Sequence, residues 1–327
     1  MPKISIITTA YKHEKFIAQT IDSILNQSFS DWELLIGDDS PDNATWQIIE
    51  QYTKKYPDKI RAWHHSPNKG IVDNMNFLIK HIAPETHYVS FLEGDDMYTP
   101  DNLEKKMSVF KEMQSLDIIY TDFLQINEKS ILKSRNYFLF TLKNKSRFLP
   151  RGMSRLSVVN LLGNGNPIQS FGSVIITKKV IDDFFPVDLA ELGTSMFGPF
   201  DYFLWLKIFP GKEVFHLDKP LFLYRVHSGN FVKNINVMLE QSQQLFSIIR
   251  RDYFRDRNVT CICDDFINEC RMLKAFSDGD MKKFRSFFFM SWRYNLKRRW
   301  FVRVMMYIGS YIPKKGRDAM RKLYSLI

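Results

Sequence analysis

Three carboxylates fall within four positions in the segment LEGDDMYT, from Leu92 to Thr99. They follow an apolar run, His87 to Phe91, that is typical of a buried strand. Open α/β sheets bind ligands beyond the carboxyl ends of their strands, and carboxylates at that edge can hold a divalent cation. The pattern therefore predicts a cation and diphosphate site. The alternative is a solvated acidic loop in which an Asp or Thr caps a helix that begins at Pro100.

A second acidic pair, Asp38 and Asp39, follows the apolar run from Trp32 to Gly37. A first strand is predicted at Lys3 to Thr9, because this segment is short, β-branched and apolar. Other elements alternate at short intervals: helices around Ile17 to Leu25 and at Thr45–Lys55, Ile71–His81 and Asp101–Gln114, and strands at Ile60–His65, His87–Leu92 and Asp117–Asp122. This order predicts the α/β class, with a mostly parallel sheet, helices on both faces and right-handed connections.

The turn after the first strand argues against two other nucleotide-binding classes. A dinucleotide-binding sheet needs G-x-G-x-x-G there, and this chain has TTAY from Thr8 to Tyr11. A metal-dependent nucleotidyltransferase would need a glycine-rich, basic phosphate loop at the same place. The segment GNGNPIQSFG, Gly163 to Gly172, lacks the strand-then-helix context of a phosphate loop. It is predicted to be a turn-rich loop near the site.

The opening segment, Pro2 to Ala44, resembles the start of the family 2 glycosyltransferases of GT-A fold. Their pattern is an apolar strand, a Tyr or Asn, a helix ending in Q-[ST]-[FY] and a strand ending in D-D-x-S-x-D. Further motifs follow in the family's order: NKG at Asn68–Gly70 with Asn74 and Asn76, LEGDD with Pro100, DYFLWLKI at Asp201–Ile208, and YRVHSGN at Tyr224–Asn230. The resemblance covers about residues 2 to 230. It implies an inverting enzyme of the bacterial surface-polysaccharide type.

The resemblance also implies a nucleotide-sugar donor, with Asp39 on uracil favouring UDP. Asp38 and Asp39 can accept hydrogen bonds from a base or a ribose, and Thr8, Ala10 and Tyr11 flank the base in the family. For all three, ordinary packing at a strand end is the alternative. The predicted nucleotide-sugar-binding residues are Thr8, Ala10, Tyr11, Asp38, Asp39, Asn68, Gly70, Asn74, Glu93, Gly94, Asp96 and Arg225.

Within the acidic cluster, Asp95 matches the metal-binding carboxylate of the family's D-x-D motif, where Mn²⁺ or Mg²⁺ would meet the diphosphate. Glu93 stands where the family usually has an Asp that reaches the ribose. Asp96 either binds the metal through water or caps the following helix. The family places a histidine like His227 on the metal or the diphosphate, and an imidazole ligand favours manganese. Arg225 either serves the diphosphate or pairs with a carboxylate.

The family's second catalytic motif carries an acidic pair whose second member is the general base. Here the pair reads Phe200 and Asp201, so the first carboxylate is missing and Asp201 is the predicted base. The alternative for Asp201 is a charge at a helix N-terminus, which the helix dipole favours. Specificity is expected in the segment 127–199, whose aromatics Tyr137, Phe138 and Phe140 form either an acceptor platform or core.

The basic character of the chain lies in its tail. Lys282 to Ile327 carries 13 Lys or Arg and one Asp, a net charge of +12 against +10 for all 327 residues. Aromatic and basic residues interleave from Phe284 to Ile312, without the 18 or more uncharged apolar residues of a membrane span. This segment fits an anionic membrane interface, and a helical appendage packed on the sheet is the alternative. A nucleic-acid partner is not expected, because the strands carry no aromatic platform.

Three cysteines, Cys261, Cys263 and Cys270, lie close together in a helical stretch without a fourth metal ligand nearby. Their odd number and the absence of a cleavable leader point to a reducing cytoplasm, or the cytoplasmic face of an inner membrane. The domains are predicted as 1–230, catalytic, and 231–327, helical and basic. The first divides into a nucleotide-binding half, 1–122, and an acceptor-binding half, 123–230.

The predicted function is transfer of a sugar from a nucleotide-diphosphate donor to a hydroxyl of a glycan or lipid-linked acceptor in cell-surface polysaccharide biosynthesis. A divalent cation would hold the leaving diphosphate and Asp201 would take the acceptor's proton. A non-catalytic nucleotide-sugar binding protein is the alternative, suggested by the departures from the family at Phe200 and Glu93.

Overall fold

The computed structural model describes residues 3–132, 152–163, 168, 170–195, 197–229 and 235–291. Two compact units are present, Met1–Asn230 and Phe231–Ile327. The predicted aromatics Tyr137, Phe138 and Phe140 lie outside the described residues, as does the tail beyond Ser291.

The first unit is built on one sheet, to which the described residues contribute nine strands. Their bounds are β1 Lys3–Ala10, β2 Trp32–Asp38, β3 Ile60–His64, β4 Thr86–Phe91, β5 Met97–Tyr98, β6 Ile118–Asn127, β7 Gly152–Arg155, β8 Val174–Thr177 and β9 Glu213–Val226. The order across the sheet is β3-β2-β1-β4-β8-β6-β9-β5, and β7 pairs with β9. Strands β3, β2, β1 and β4 run parallel to one another. Strand β8 is antiparallel to both β4 and β6, and β9 runs parallel to β6. The predicted α/β fold with a mostly parallel sheet flanked by helices is confirmed.

The helices of the first unit connect these strands. They are α1 Ile17–Leu25, α2 Ala44–Lys55, α3 Gly70–Lys80, α4 Asn102–Glu112, α5 Val158–Gly163, α6 Lys178–Phe184, α7 Leu189–Leu192 and α8 Phe200–Ile208, with a 3₁₀ turn at Phe171–Ser173. The predicted helices and strands up to residue 114 agree with α1–α4 and β1–β4 to within two residues.

Strand alternation divides the first unit's core between the two faces of the sheet. Ile4 and Ile6 of β1 join a buried cluster with Ile21 of α1, Ile49 of α2 and Leu103 of α4. Helix α3 contacts β1 and β2 but contributes no residue to that cluster, so it covers the other face. Side chains on one strand alternate between faces. The apolar first strand is therefore buried on both sides, as its composition predicts.

Strand β6 differs from its prediction, which ended the strand at Asp122. The observed strand continues to Asn127, because β9 pairs with it beyond an irregularity at Asp122. The partner residues step from Leu217, opposite Thr121, to Pro220, opposite Asp122. A second step follows, from Pro220 opposite Asp122 to Phe222 opposite Phe123, so β9 accommodates three extra residues before the ladder resumes.

The second unit contains three described helices, α9 Ile235–Asp252, α10 Arg257–Ser277 and α11 Met281–Ser291. Asp256 caps α10, because its carboxylate accepts from the backbone N–H of Asn258 at 2.9 Å and of Val259 at 3.2 Å. A buried cluster at the α10–α11 turn contains Met272, Ala275, Phe276, Phe284 and Phe288. In the described part of the chain, no helix is long and apolar enough to cross a membrane.

Two of the three cysteines of α10 are packing residues, whereas Cys261 is exposed. Cys263 and Cys270 are buried, and burial raises the pKa of both thiols to about 12. None of the three cysteines forms a disulfide.

Lys106 provides a test of core electrostatics. This α4 side chain is fully buried, its Nζ has no hydrogen-bond partner, and burial lowers its pKa to about 7. Since the unfolded chain holds the proton up to about pH 10, stability should rise with pH between 7 and 10. Lys106→Met should raise the free energy of unfolding at pH 7 by about 1–3 kcal/mol and flatten this pH dependence, measured by urea denaturation. Partly exposed Lys105→Met is the control; an equal gain there would contradict the account.

Candidate active site

The candidate site lies at the sheet edge where the parallel strands β1, β2 and β4 end. Ala10 pairs with Asp38 in the β1–β2 ladder, and the backbone N–H of Asp39 donates to the carbonyl of Ala10 at 2.9 Å. The acidic loop Glu93–Asp96 follows β4, and the N–H of Gly94 donates to Thr9 of β1 at 3.0 Å. The two acidic groups found in the sequence therefore lie on either side of the end of β1.

Both carboxylate oxygens of Asp38 have hydrogen-bond partners within the protein. Its side chain is fully buried; Oδ1 accepts from the N–H and hydroxyl of Ser40 at 3.1 and 2.6 Å, and Oδ2 lies 2.9 Å from His64 Nδ1. The hydroxyl of Ser40 also accepts from the N–H of Lys12 at 2.8 Å. Asp38 therefore connects the turns after β1 and β2 to β3.

Asp39 faces a second group of predicted residues at the start of α3. Its Oδ1 accepts from the N–H of Lys69 at 3.2 Å, and its carbonyl accepts from Asn68 Nδ2 at 3.1 Å. Burial raises the pKa of Asp39, and the backbone N–H groups of Lys69 and Gly70 partly offset this rise. Gly70 adopts φ +79°, and a Cβ there would lie 2.5 Å from Ser195 Oγ. The close approach of the Ser195 segment therefore requires glycine.

Asn74 extends this group under the sheet edge. Its Nδ2 donates to the carbonyl of Gly37 at 2.9 Å, and its buried Oδ1 has no hydrogen-bond partner in the structure. Asp39, Asn68, Gly70 and Asn74 are thus brought together as the sequence predicted, beside the end of β2.

The acidic loop is held in a tight turn by backbone and buried side-chain contacts. The N–H of Asp96 donates to the carbonyl of Glu93 at 3.1 Å, and Thr20 of α1 donates through its hydroxyl to the carbonyls of Gly94 and Asp96 at 3.0 and 2.8 Å. A Cβ on Gly94 would lie 2.6 Å from Nδ1 of His13. Only glycine fits this contact between the loop and the segment after β1.

Arg225 ties the acidic loop to the end of β9. The side chain is fully buried; its Nε donates to the carbonyl of Asp95 at 2.6 Å, and its backbone N–H donates to Asp96 Oδ1 at 2.7 Å. Its remaining nitrogens reach the carbonyl of Asn127 at 3.2 Å and Gln19 Oε1 at 2.8 Å. Because the guanidinium donates to these groups of the protein, Arg225 positions the loop. Burial raises the pKa of Asp96 well above its usual value, and the Asp95 charge adds to this.

Asp95 lies between two imidazoles. His227 Nε2 is 2.8 Å from Asp95 Oδ2, and His13 Nε2 is 3.9 Å from the same oxygen. Burial alone would raise the pKa of Asp95, but His13 and the His227 hydrogen bond lower it overall. The N–H of Gly229 donates to His227 Nδ1 at 3.1 Å, so the ring proton sits on Nε2 and is donated to Asp95.

A serine joins Glu93 to the predicted base. Ser170 Oγ donates to the two carboxylate oxygens of Glu93 at 3.0 and 3.1 Å, and its N–H donates to Asp201 Oδ2 at 3.2 Å. Ser170 has φ +74°, an unfavourable value for a residue with a side chain. Burial, and then the Asp95 charge, raise the pKa of Glu93 to about 7. The acidic loop and the start of α8 are therefore linked by one strained residue.

The residue before Asp201 belongs to the core. Phe200 is fully buried; its ring centroid lies 5.9 Å from that of Phe171 and 6.4 Å from that of Phe203. Asp201 stands in the first turn of α8, and its Oδ1 accepts from the N–H of Tyr202 at 2.6 Å. The missing carboxylate of the family's acidic pair is thus replaced by an aromatic anchor that fixes the start of the helix.

The three predicted residues at the end of β1 have different environments. Thr8 and Ala10 are buried, and Thr8 Oγ1 has no hydrogen-bond partner. Tyr11 is 43% exposed and is therefore available to a ligand. Sequence reasoning missed Ser170 and His13, which contact the acidic residues from neighbouring loops. A polar residue inside the predicted turn-rich loop was the available signal for Ser170.

The profile of "Glycosyl transferase family 2" matches residues 5–183 of the chain. The chain belongs to this family. The matched range includes β1 to β4, the acidic loop and Ser170, whereas Asp201, Arg225 and His227 lie beyond it.

Among curated relatives, the chain is 31% identical over 134 residues to EpsE of Bacillus subtilis (strain 168), a candidate glycosyltransferase, an alignment that covers 41% of this chain and 48% of EpsE. It is 32% identical over 111 residues to TuaG of the same strain, named as a candidate glycosyltransferase of teichuronic acid biosynthesis, covering 34% of this chain and 43% of TuaG. It is 26% identical over 231 residues to an uncharacterized Nostoc glycosyltransferase, covering 70% and 66%. The chain thus spans about half to two thirds of these relatives' own length.

Solved structures share the fold. The crystal structure of S. aureus TarS 1-349 in complex with UDP-GlcNAc aligns with a TM-score of 0.60 at 17% identity, covering 97% of this chain and 83% of that one. The mannosyltransferase PcManGT from Pyrobaculum calidifontis, in complex with GDP-Man and Mn²⁺, aligns with a TM-score of 0.58 at 12% identity, covering 98% and 83%. At these identities the likeness concerns the fold, which is GT-A.

The raised pKa of Glu93 predicts a pH-dependent stability. Folding raises this pKa from 4.5 to about 7, so the folded protein keeps a proton that the unfolded chain loses, and stability falls as pH rises from 4.5 to 7. Glu93→Gln should therefore stabilise the protein by about 1–3 kcal/mol more at pH 8 than at pH 4.5, measured by urea denaturation. The exposed Glu112→Gln serves as the control. An equal effect of Glu93→Gln at both pH values would rule out the buried carboxyl as the source.

Proposed function

We propose that the chain transfers a sugar from a nucleotide-diphosphate donor to a hydroxyl of a glycan or lipid-linked acceptor. The observation that carries this proposal is the hydrogen bonding of Ser170 to both Glu93 and Asp201. It brings the candidate base next to the acidic loop that would face the donor. A displacement needs these two groups together, because the acceptor must attack where the diphosphate leaves.

The donor half, proposed as residues 1–122, would bind the nucleotide at the ends of β1 and β2. Asp39 would accept a hydrogen bond from the base, with its carboxylate oriented by the N–H of Lys69. Tyr11 is exposed beside it and could cover the base. The UDP-GlcNAc bound by TarS supports a uridine donor, whereas the GDP-Man of PcManGT is the competing choice.

A divalent cation fits Asp95 better than it fits His227 as arranged. The low pKa of Asp95 leaves a carboxylate ready to ligate Mn²⁺ or Mg²⁺. His227 would have to move its ring proton to Nδ1 before Nε2 could ligate, at the expense of the Gly229 hydrogen bond. When bound, the ion would neutralise charge on the departing diphosphate. Arg225 holds the Asp95 backbone in place for this role.

Asp201 would act as the general base. Its carboxylate is oriented through both oxygens, by Ser170 N–H on one and Tyr202 N–H on the other. The proposed acceptor half, 123–230, would supply that hydroxyl. Attack on the anomeric carbon from the side opposite the nucleotide gives an inverted product in one step. The name of TuaG supports a cell-surface polysaccharide as the product.

Asp201→Asn tests the catalytic proposal. The rate of sugar transfer by this variant should fall by roughly 10²–10⁴-fold, because no carboxylate remains to take the proton of the acceptor hydroxyl. UDP binding measured by calorimetry should stay unchanged. Transfer is followed as UDP released from UDP-sugars with Mn²⁺ present, and exposed Asp182→Asn is the matched control. If wild type and variant are equally inert while both bind UDP, the protein is a nucleotide-sugar binding module. Release of pyrophosphate from UTP and a sugar 1-phosphate, with no UDP released from UDP-sugars, would indicate a nucleotidyltransferase.

Asp39→Asn tests the nucleotide contact. Loss of a charged hydrogen-bond acceptor should weaken UDP binding by about 10–100-fold and reduce discrimination against GDP. Because burial raises the pKa of Asp39, wild-type affinity should fall with decreasing pH earlier than an ordinary Asp would predict. Asp42→Asn in the same loop, whose carboxylate caps the N–H of Ala44, is the control. Unchanged UDP affinity in Asp39→Asn would remove Asp39 from the site.

A further inference from the structure

A group of potential metal ligands lies at the bulge between β6 and β9, apart from the acidic loop. Asp122, His216 and Asp218 each offer one ligand atom, and these atoms all lie within 4.8 Å of one another. The bulge explains the grouping. His216 pairs with Tyr120 and Leu217 with Thr121, but Pro220 is the residue opposite Asp122. Asp218 is therefore one of the two residues of β9 inserted between Leu217 and Pro220.

Two members of this group are buried without the partners that polar atoms need. His216 is 6% exposed and neither of its ring nitrogens has a hydrogen-bond partner; Asp122 is 8% exposed and its Oδ2 has none. Their closest approach, His216 Nε2 to Asp122 Oδ1, is 3.5 Å, too long for a good hydrogen bond. Buried polar groups are nearly always satisfied, since an unpaired one costs about 1–3 kcal/mol. One ligand atom from each of these two residues therefore lies within 4.8 Å of the other and of a ligand atom of Asp218.

The ring of His216 is held in position by its neighbour. Tyr120 stacks on it with a centroid distance of 4.6 Å and an interplanar angle of 1°. The imidazole plane is therefore fixed by packing on β6. A ligand atom aimed by a rigid neighbour is what a metal site needs.

We propose that Asp122, His216 and Asp218 bind a divalent transition-metal ion, Zn²⁺ in preference to Mn²⁺. An ion between them would take one ring nitrogen of His216 and Oδ2 of Asp122 as ligands, and two carboxylates would balance its charge. The imidazole ligand disfavours Mg²⁺ and Ca²⁺, and for a given nitrogen and oxygen set Zn²⁺ binds more tightly than Mn²⁺. Asp218 is exposed, so a water or a ligand oxygen can complete the coordination from solvent.

The ion would tie the β9 bulge to β6, where Asp122 is the last residue of the predicted nucleotide-binding half and His216 and Asp218 belong to the predicted acceptor half. The site shares no residue with the Asp95–His227 pair, so it does not depend on the proposed function. Its binding should stabilise the folded protein by mass action, with a melting temperature that rises with Zn²⁺ concentration.

The site is tested by titrating the metal-free protein with Zn²⁺ in competition with a chelating dye. The titration uses an Asp95→Asn background, which weakens metal binding at the acidic loop. This background should bind one equivalent of Zn²⁺, and its melting temperature should rise with added ZnCl₂. Adding His216→Gln should remove that equivalent, a loss larger than the roughly 10–100-fold that follows removal of an outer-shell partner. Equal Zn²⁺ binding with and without His216→Gln would overturn the proposal. So would a background that binds no Zn²⁺, because the three residues would then form an ion pair only.

Asp218→Asn keeps the test decisive if the buried variant fails to fold. Asp218 is exposed, so circular dichroism and the melting temperature without metal should be unchanged. Zn²⁺ affinity should fall by about 10-fold in the same background, by analogy with the loss of one weak ligand. Exposed Asp182→Asn is the control and should bind Zn²⁺ as the background does. An Asp218→Asn protein that also binds as the background does would overturn the three-ligand site.

Discussion

The burial of three carboxylates in one short loop is the constraint on which the active-site region depends. Like charges out of water repel one another, so each needs a partner or a proton. Glu93 and Asp96 meet this demand with raised pKa values, and Asp95 meets it with two histidines. Arg225, fully buried in the same region, supplies a positive charge. Burial and charge therefore set the three carboxylates apart: Glu93 and Asp96 keep a proton more readily than an ordinary acid, whereas Asp95 loses it more readily.

The sequence was sufficient for the regular part of the fold because its signals were local. Apolar β-branched runs and helical spacing located β1 to β4 and α1 to α4, and the parallel order followed from their alternation. The antiparallel strand β8 was not predicted. Its four residues, Val174 to Thr177, enter the sheet between β4 and β6, which are 26 residues apart in the chain. A strand of only four residues is recognisable mainly through its partners.

The residues of the candidate site also divide into those with local sequence signals and those recognisable only from tertiary packing. Asp38, Asp39, Asp95 and Asp96 could be predicted because parallel strands bring their carboxyl ends to one edge. Ser170 could not, because its role depends on a positive φ and on the distant residues Glu93 and Asp201. The group at the β9 bulge was equally hidden, since it depends on a two-residue register shift. Sequence pattern therefore located the residues at strand ends, and tertiary packing selected those that support them.

The two departures from the family pattern, Glu93 and Phe200, are connected through the neighbouring residues Ser170 and Phe171. Glu93 is one methylene longer than the usual Asp, and this length lets its carboxylate take the Ser170 hydroxyl and approach the N–H of Phe171 at 3.3 Å. Phe171 in turn packs on Phe200, the residue that replaces the first acid of the second motif. A second carboxylate at position 200 would be fully buried among the rings of Phe171 and Phe203, where an unpaired charge is costly. An aromatic ring there removes one charge from the cluster and anchors the helix that carries Asp201. The longer acid and the lost acid thus compensate each other, and the remaining carboxylate of the motif keeps its position.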